Sequence, residues 1–163
     1  MSTSKLVLTL GLSILGFTAG GAVWSYAQQQ PRTITLTPQD YLDIQRLYGV
    51  YNRMLDAGDA EKFADTFTPD GTLANSTGRS AIMKSVVDAQ ARWKGAWRHL
   101  YSNLIIEPAP DGAKGSSVLF AYDTSTKPAT ITNTGIYEDT LVKTRNGWRF
   151  KTRAFHSDAP PAR

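Results

Sequence analysis

The stretch "TGIYEDTLVKTRNGWRFKTR", residues 134–153, decides the fold class, because it holds two alternating apolar and polar runs joined by Asn146-Gly147. Side chains of a strand alternate between its two faces, and Asn-Gly between two such runs favours a tight turn. The pattern predicts a β-hairpin whose second strand is "GWRFKTRAFH", residues 147–156. The basic residues of this strand share one row, which we interpret as a solvated outer surface: Arg149, Lys151 and Arg153. The opposite row is predicted to point inward: Trp148, Phe150, Thr152, Ala154 and His156.

Two further strands precede the hairpin, "RHLYSNLIIEP" at residues 98–108 and "AKGSSVLFAYD" at residues 113–123. The turn signal "PDG" at residues 110–112 separates them, so four strands are predicted to form an antiparallel meander. Read with period two, the first of these strands points one row of side chains toward a possible cavity: His99, Tyr101 and Asn103. The row on its other face is Leu100, Ser102 and Leu104.

The part of the chain before the meander is mostly helical. "TPQDYLDIQRLYGVYNRMLDAGD", residues 37–59, begins with an N-cap threonine and a proline at the first helical position, and Gly58 ends it. A second helix is predicted from Asp59 through Phe67, followed by a "TPDG" turn and a short strand near Thr72. A third helix is predicted from Arg79 to Trp93. Segregated helices and strands indicate an α+β fold with one core.

The N-terminal segment has the three parts of a secretory signal. Lys5 is the charged region, residues 6–22 form the apolar region, and Ser25-Tyr26-Ala27 is a cleavage site that predicts a cut after Ala27. The chain is therefore expected to be exported, periplasmic or secreted, with an uncleaved membrane anchor as the alternative. The domains expected are a signal peptide (1–27), a linker (28–36), one folded domain (37–157) and a flexible tail (158–163).

Composition excludes several classes of protein. The chain after Ala27 has 17 basic and 14 acidic residues, and the basic ones are not clustered, so a nucleic-acid partner is not expected. The sequence has no cysteine, which excludes disulfides, thiol catalysis and cysteine metal sites. A hydrophobic core must therefore stabilise the exported domain.

Two residues are candidates for chemistry. Asp56 lies in the last turn of the first helix, where the helix dipole disfavours a carboxylate, and His99 is the first of only two histidines in the chain. If the two meet, the carboxylate would orient the imidazole and tune it as a general acid or base. Alternatively, Asp56 is a solvated helix-end residue and His99 a packed one, and spacing does not decide between these interpretations.

An ordered set of segments resembles the SnoaL-like group of the nuclear transport factor 2-like superfamily. The segments are "YNRMLDAGDAEKFADTFTPDGTL" (51–73), "GRSAIMKSV" (78–86), "WRHLYSN" (97–103) and residues 134–153, and the resemblance covers residues 38–155. It implies a cone-shaped, strongly curved mixed β-sheet around a pocket, closed by three N-terminal helices. It also implies a homodimer formed through the outer face of the sheet.

The resemblance assigns roles to particular residues. Asp56 and His99 match the acid/base pair of scytalone dehydratase-like and SnoaL-like enzymes, and the dehydratases' second histidine has no counterpart in "SSVLFAYDTST", residues 116–126. Tyr122 or His156 is a possible replacement. The substrate-binding residues expected are Tyr51, Tyr101, Asn103, Tyr122, Trp148 and His156.

Three functions remain open from the sequence. The first is a small-molecule lyase or isomerase, dehydratase-like, that uses Asp56 and His99 and needs no cofactor. The second is a non-catalytic module that binds a hydrophobic or aromatic small molecule in the same pocket. The third, which we do not favour, is a mononuclear metal site of Asp56, His99 and His156.

Overall fold

The computed structural model describes residues 34–159. The predicted signal peptide, most of the predicted linker and the last four residues of the tail lie outside this range. Within the described residues, no helix combines the length and apolar character needed to cross a membrane.

The described chain contains three helices and six strands. The helices are α1 (Pro38–Ala57), α2 (Ala60–Ala64) and α3 (Arg79–Trp93). The strands are β1 (Phe67–Leu73), β2 (Ser76–Thr77), β3 (Trp97–Ala109), β4 (Gly112–Asp123), β5 (Thr130–Thr144) and β6 (Gly147–Ser157).

The six strands form one curled mixed sheet in the order β2-β1-β6-β5-β4-β3. Strands β3 to β6 pair antiparallel with their neighbours, and β1 pairs parallel with β6. The predicted α+β fold with N-terminal helices and a four-stranded meander is therefore confirmed. The early strand was expected at the sheet edge, but the two-residue strand β2 pairs beyond it and forms that edge.

Helix α1 begins and ends where the sequence predicts. Thr37 and Asp40 form a reciprocal capping box that satisfies two backbone N–H groups, and Gly58 ends the helix in the left-handed conformation with φ 71°. The inner face of α1 packs its apolar side chains against the sheet, and the centre of the core includes Ile44, Tyr48, Tyr51, Phe63 and Phe150. Helix α1 therefore packs on the inner face of the sheet.

The segment between α2 and β1 differs from the prediction. Helix α2 ends at Ala64 rather than at Phe67, and "TPDG" lies inside β1. Phe67 pairs with Phe150, and Thr72 pairs with Thr152. Residues 68–71 therefore form a bulge in β1 that is not paired with β6. The turn residues are thus used inside a strand, which local propensity alone does not distinguish from a turn between elements.

Two further irregularities change which side chains point inward. The pairing of β3 shifts between Ser102 and Ile105, with Asn103 at φ 51°, and the pairing of β6 skips Lys151 between Phe150 and Thr152. One extra residue in a strand inverts the alternation beyond it. The predictions that extend an inward row past either point are therefore wrong.

Candidate active site

Asp56 and His99 lie in direct contact. Asp56 Oδ1 is 2.6 Å from His99 Nδ1, and Asp56 Oδ2 accepts a hydrogen bond of 3.3 Å from the His99 backbone N–H. The carboxylate therefore holds both the ring and the main chain of the same residue. The His99 side chain is 2% exposed and that of Asp56 18% exposed, so the pair lies below the surface with the carboxylate nearer to water.

The C-terminal end of α1 places Asp56 at this position. Gln90 of α3 donates a hydrogen bond of 2.9 Å to the Leu55 carbonyl, which ties the last turn of α1 to α3. An added Cβ on Gly58 would contact the Gln90 side chain, so the helix end and Gln90 fit closely. The carboxylate lies at the negative end of the helix dipole, and its two hydrogen bonds to His99 offset that unfavourable position.

This arrangement defines the chemistry of the imidazole. A carboxylate accepts from Nδ1–H, which assigns the remaining lone pair of the neutral ring to Nε2. Nε2 is then the ring atom that is able to exchange a proton, and a carboxylate at Nδ1 would stabilise an imidazolium. The pair thus has the geometry of a general acid/base.

Trp97 covers His99. Its ring meets the imidazole edge-on with the two centroids 4.2 Å apart, and it stacks on Trp93, the last residue of α3, at 5.2 Å. The indole N–H of Trp97 donates a hydrogen bond of 2.9 Å to Thr132 Oγ1 at the start of β5. The tryptophan pair therefore closes the end of the sheet at which His99 lies.

A buried ion pair occupies the interior and was missed by the sequence analysis. Arg153 Nε and Nη2 donate to the two carboxylate oxygens of Asp139 at 2.9 and 3.0 Å, and both side chains are at most 1% exposed. The Tyr48 hydroxyl also donates to Asp139. Burial raises the pKa of Asp139, whereas the charge and hydrogen bonds of Arg153 and the hydrogen bond of Tyr48 oppose that rise. We interpret the two side chains as an ion pair, because the arginine guanidinium stays protonated in proteins and donates two hydrogen bonds to the carboxylate.

Four aromatic rings surround the Arg153 guanidinium. Its central carbon lies 4.1–4.7 Å from the ring centroids of Tyr48, Tyr51, Tyr137 and Phe150. The solvated outer row predicted for Arg153 is wrong, because the bulge at Lys151 turns Arg153 inward. One signal could have revealed the pair: Tyr137, Asp139 and Leu141 alternate in one inward row, and a buried acid needs a cation.

Tyr51 lies inside the fold, next to the buried ion pair. Its ring packs against Phe63 and Phe150, and its side chain is fully enclosed. Burial raises the pKa of Tyr51 well above its usual value, so its hydroxyl stays protonated and can donate a hydrogen bond. Tyr101 is also on the inner face, but its hydroxyl donates a hydrogen bond of 3.2 Å to the backbone carbonyl of Gln45. Gln45 lies more than one helical turn before Tyr51 in α1.

Four of the predicted ligand-binding residues do not face His99. Asn103 is exposed at the β3 bulge, and Tyr122 pairs with Arg98 on the face opposite to His99. His156 points outward beyond the β6 bulge and contacts Glu138 at 3.2 Å, with its side chain 60% exposed. The inward row predicted for His156 is therefore wrong, for the same reason as for Arg153.

Trp148, the fourth of these residues, is buried at the far end of α1. Its indole N–H donates to Asp40 at 2.9 Å. Asp40 and Asp56 are separated by about 24 Å along the helix, at 1.5 Å per residue. Trp148 therefore stabilises the start of α1 instead of lining a site near His99.

The structure does not bring together the three side chains of the metal site considered from the sequence. His156 lies on the outer face, away from Asp56 and His99. Residues 34–159 contain no group of three or more His, Asp or Glu side chains spaced to hold a metal ion. The metal site proposed from residue counts is thus without one of its three ligands.

Surface hollows are found elsewhere on the described chain. One of about 440 Å³ lies on the outer face of the sheet beside Glu107 and Glu138, and another of about 440 Å³ lies between α1 and the β5–β6 turn. Neither these two nor two smaller ones, of about 310 and 390 Å³, is lined by Asp56 or His99. None of these four cavities is therefore the pocket predicted around the pair, and the His99 side chain itself is 2% exposed.

Ser117 is a further interior residue that the sequence analysis missed. It lies on the inner face of β4 opposite Tyr137, is 1% exposed, and its hydroxyl has no hydrogen-bond partner among the described residues. Buried hydroxyl groups are normally paired, so this atom is available to a water or a ligand oxygen.

Comparisons with known proteins identify the family and the fold. The family model described as the SnoaL-like domain matches residues 37–154. A variant of the function-unknown protein Rv3472 from Mycobacterium tuberculosis is 30% identical, with a TM-score of 0.67 over 76% of this chain and 79% of its own. Aln2 from a Streptomyces species is 26% identical, with a TM-score of 0.69 over 77% of this chain and 95% of its own.

A protein from Novosphingobium aromaticivorans, provisionally named scytalone dehydratase, is 29% identical, with a TM-score of 0.64 over 74% of this chain and 85% of its own. No curated protein matches the sequence.

Proposed function

Because the chain belongs to the SnoaL-like domain family, we propose that it is an exported lyase or isomerase acting on a small carbonyl or hydroxyl compound by general acid/base catalysis. The observation that supports this most directly is the 2.6 Å contact between Asp56 and His99, with the imidazole almost completely buried. A carboxylate bound to one ring nitrogen of a histidine orients the imidazole and leaves the other nitrogen to accept or donate a proton, which suits general acid/base chemistry.

The proposed reaction moves one proton. Neutral His99 takes a proton from carbon through Nε2, and Asp56 stabilises the resulting imidazolium. The electron pair of the broken C–H bond develops as negative charge on the substrate carbonyl oxygen, which needs a hydrogen-bond donor such as the protonated Tyr51 hydroxyl. In a dehydration, the enolate electron pair forms a C=C bond and the carbonyl is restored as the C–O bond breaks, while His99 gives its proton to the leaving hydroxyl, which departs as water. In an isomerisation, His99 returns the proton to a second carbon instead. Neither path needs an oxidant or a reductant, so the proposal requires no cofactor.

A panel of dehydratable and enolisable compounds tests the proposal. His99→Ala should lower the turnover of any active compound by about 10²–10⁴-fold with the fold retained. Asp56→Asn keeps an acceptor of the same shape and should lower turnover while removing the negative charge. His156→Ala is the matched control, because that histidine lies on the outer face and should leave the rate unchanged. Full activity in His99→Ala would remove His99 from the mechanism.

The closed interior supports a second candidate, a non-catalytic module that binds a hydrophobic or aromatic small molecule. None of the four cavities reaches the Asp56–His99 pair, and the side chain packed on the imidazole is the aromatic ring of Trp97. This candidate predicts that a bound ligand is recovered chemically unchanged, both from the native protein and from the Asp56→Asn variant. Conversion of the ligand to a product would exclude it.

Export and self-association complete the proposal. Intact mass measurement after expression in a secreting host should give a chain beginning at Gln28, whereas a full-length chain would favour the membrane anchor. A homodimer is supported by exposed apolar side chains on the outer face of the sheet: Leu100, Ile105, Phe120 and Ile136. Phe120→Lys should lower the mass in sedimentation equilibrium from dimer to monomer, and a monomeric native chain would refute the dimer.

A further inference from the structure

Access to His99 is blocked by a side chain of its own strand. Trp97 and His99 are two residues apart on β3, so they share one face, and the Trp97 ring lies edge-on to the imidazole at 4.2 Å. The His99 side chain is 2% exposed with Trp97 packed against its ring, so it does not meet a ligand in this conformation. Proton exchange at the imidazole therefore requires the tryptophan to move.

The contacts that hold Trp97 lie at the surface. The Thr132 hydroxyl that accepts from the indole N–H is exposed, and so is the hydrogen bond itself. An exposed hydrogen bond is partly replaced by one with water when it breaks, so its loss changes the population of the open form by only about 2- to 12-fold. The other contact is the stack on Trp93, whose ring is itself only partly buried.

The opening needs only a rotation of the Trp97 side chain, because the main chain before it is held in place. The Ala96 N–H donates to the Trp93 carbonyl at 2.9 Å, and the Ala96 carbonyl accepts from the Thr124 N–H at 2.9 Å. The imidazole of His99 is fixed below the surface, since Asp56 accepts hydrogen bonds from its ring and from its backbone N–H. The cover is thus weakly attached, whereas the catalytic pair beneath it is firmly held.

We propose that Trp97 is the access-controlling residue of the site: its ring leaves His99 when the indole N–H leaves Thr132, and the imidazole is then open to a ligand. This inference rests on the proposed function for the role of His99, but opening can be measured without turnover. The bond to Thr132 keeps the site closed between encounters and excludes water from the imidazole.

Carbethoxylation of histidine by diethyl pyrocarbonate reports the opening. The chain has two histidines, and the exposed His156 is an internal reference for reagent and pH. Peptide mass spectrometry of the native protein gives the rate at each residue. We expect His99 to react at least about tenfold more slowly than His156, since its reaction is limited to the open form.

Variants of the surface bond should change this rate in a defined way. Thr132→Val removes the acceptor and should raise the His99 rate about 2- to 12-fold, the factor that corresponds to one net hydrogen bond. Thr132→Ser restores a hydroxyl and should return the native rate. Trp97→Phe loses the N–H together with part of the covering ring and should itself raise the His99 rate. In a Trp97→Phe background, Thr132→Val should give no further increase, because the bond is already absent.

Each outcome decides the proposal. Equal rates at His99 and His156 in the native chain would show that no closed cover exists. An unchanged His99 rate in folded Thr132→Val, with unaltered circular dichroism, would show that the bond does not control access. Loss of turnover in His99→Ala is a separate result, so the acid/base proposal and the access proposal can fail independently.

Discussion

Replacing Arg153 by methionine should destabilise the protein strongly. Methionine preserves much of the side-chain volume but removes the charge that neutralises Asp139 and both hydrogen bonds to it. Because Arg153 and Asp139 are 1% and 0% exposed, no water can replace the lost cation. Breaking a buried pair from one side typically costs about 3–5 kcal/mol, and we expect a loss in that range in the free energy of unfolding.

Urea denaturation followed by circular dichroism measures this loss, and a double-mutant cycle assigns it to the pair. Asp139→Asn removes the charge and retains an oxygen for the Tyr48 hydroxyl. The Arg153→Met/Asp139→Asn variant should therefore be less destabilised than the sum of the single variants. Lys151→Met, on the same strand but with a half-exposed ion pair to Asp70, is the matched control and should cause a much smaller change.

The pH dependence gives an independent check. Burial raises the pKa of Asp139, and loss of Arg153 removes the charge that opposes this rise. An acid whose folded-state pKa is raised favours folding when protonated, and that contribution is lost as pH rises through the folded-state pKa. The deficit of Arg153→Met relative to the native chain should thus shrink between pH 7 and pH 4. A deficit below about 1 kcal/mol at pH 7, or one independent of pH, would refute the buried ion pair.

Two further substitutions test the interior. Ser117→Ala removes a buried hydroxyl with no partner among the described residues and should raise the free energy of unfolding by about 1 kcal/mol in the absence of ligand; a loss of similar size would mean that the hydroxyl is paired. Gly115→Ala should lower the free energy of unfolding by about 1–3 kcal/mol, because its Cβ would collide with the Tyr48 hydroxyl and with Leu141. Thermal unfolding measures both, and an unchanged midpoint in Gly115→Ala would contradict the close approach of Tyr48.

The site was predictable only in part. The helix-end position of Asp56 and the polar row of β3 marked two residues that the structure brings to 2.6 Å. The position of the Trp97 ring against His99 was not predictable, because it depends on the packing of α3 and β5. Ser117 looked like an ordinary strand residue, since only the assembled sheet shows that no partner within residues 34–159 reaches its hydroxyl.

The sequence by itself determined the order and kind of the elements, because caps, helical spacing and the Asn146-Gly147 turn act over a few residues. It also indicated the family, through segments spread over most of the chain. The tertiary structure alone decided which face each strand presents after a bulge. At Lys151 one unpaired residue turns Arg153 into the core and His156 out to solvent. The position of such a bulge depends on how the strand pairs with its neighbour. Alternation within a single strand therefore does not predict it.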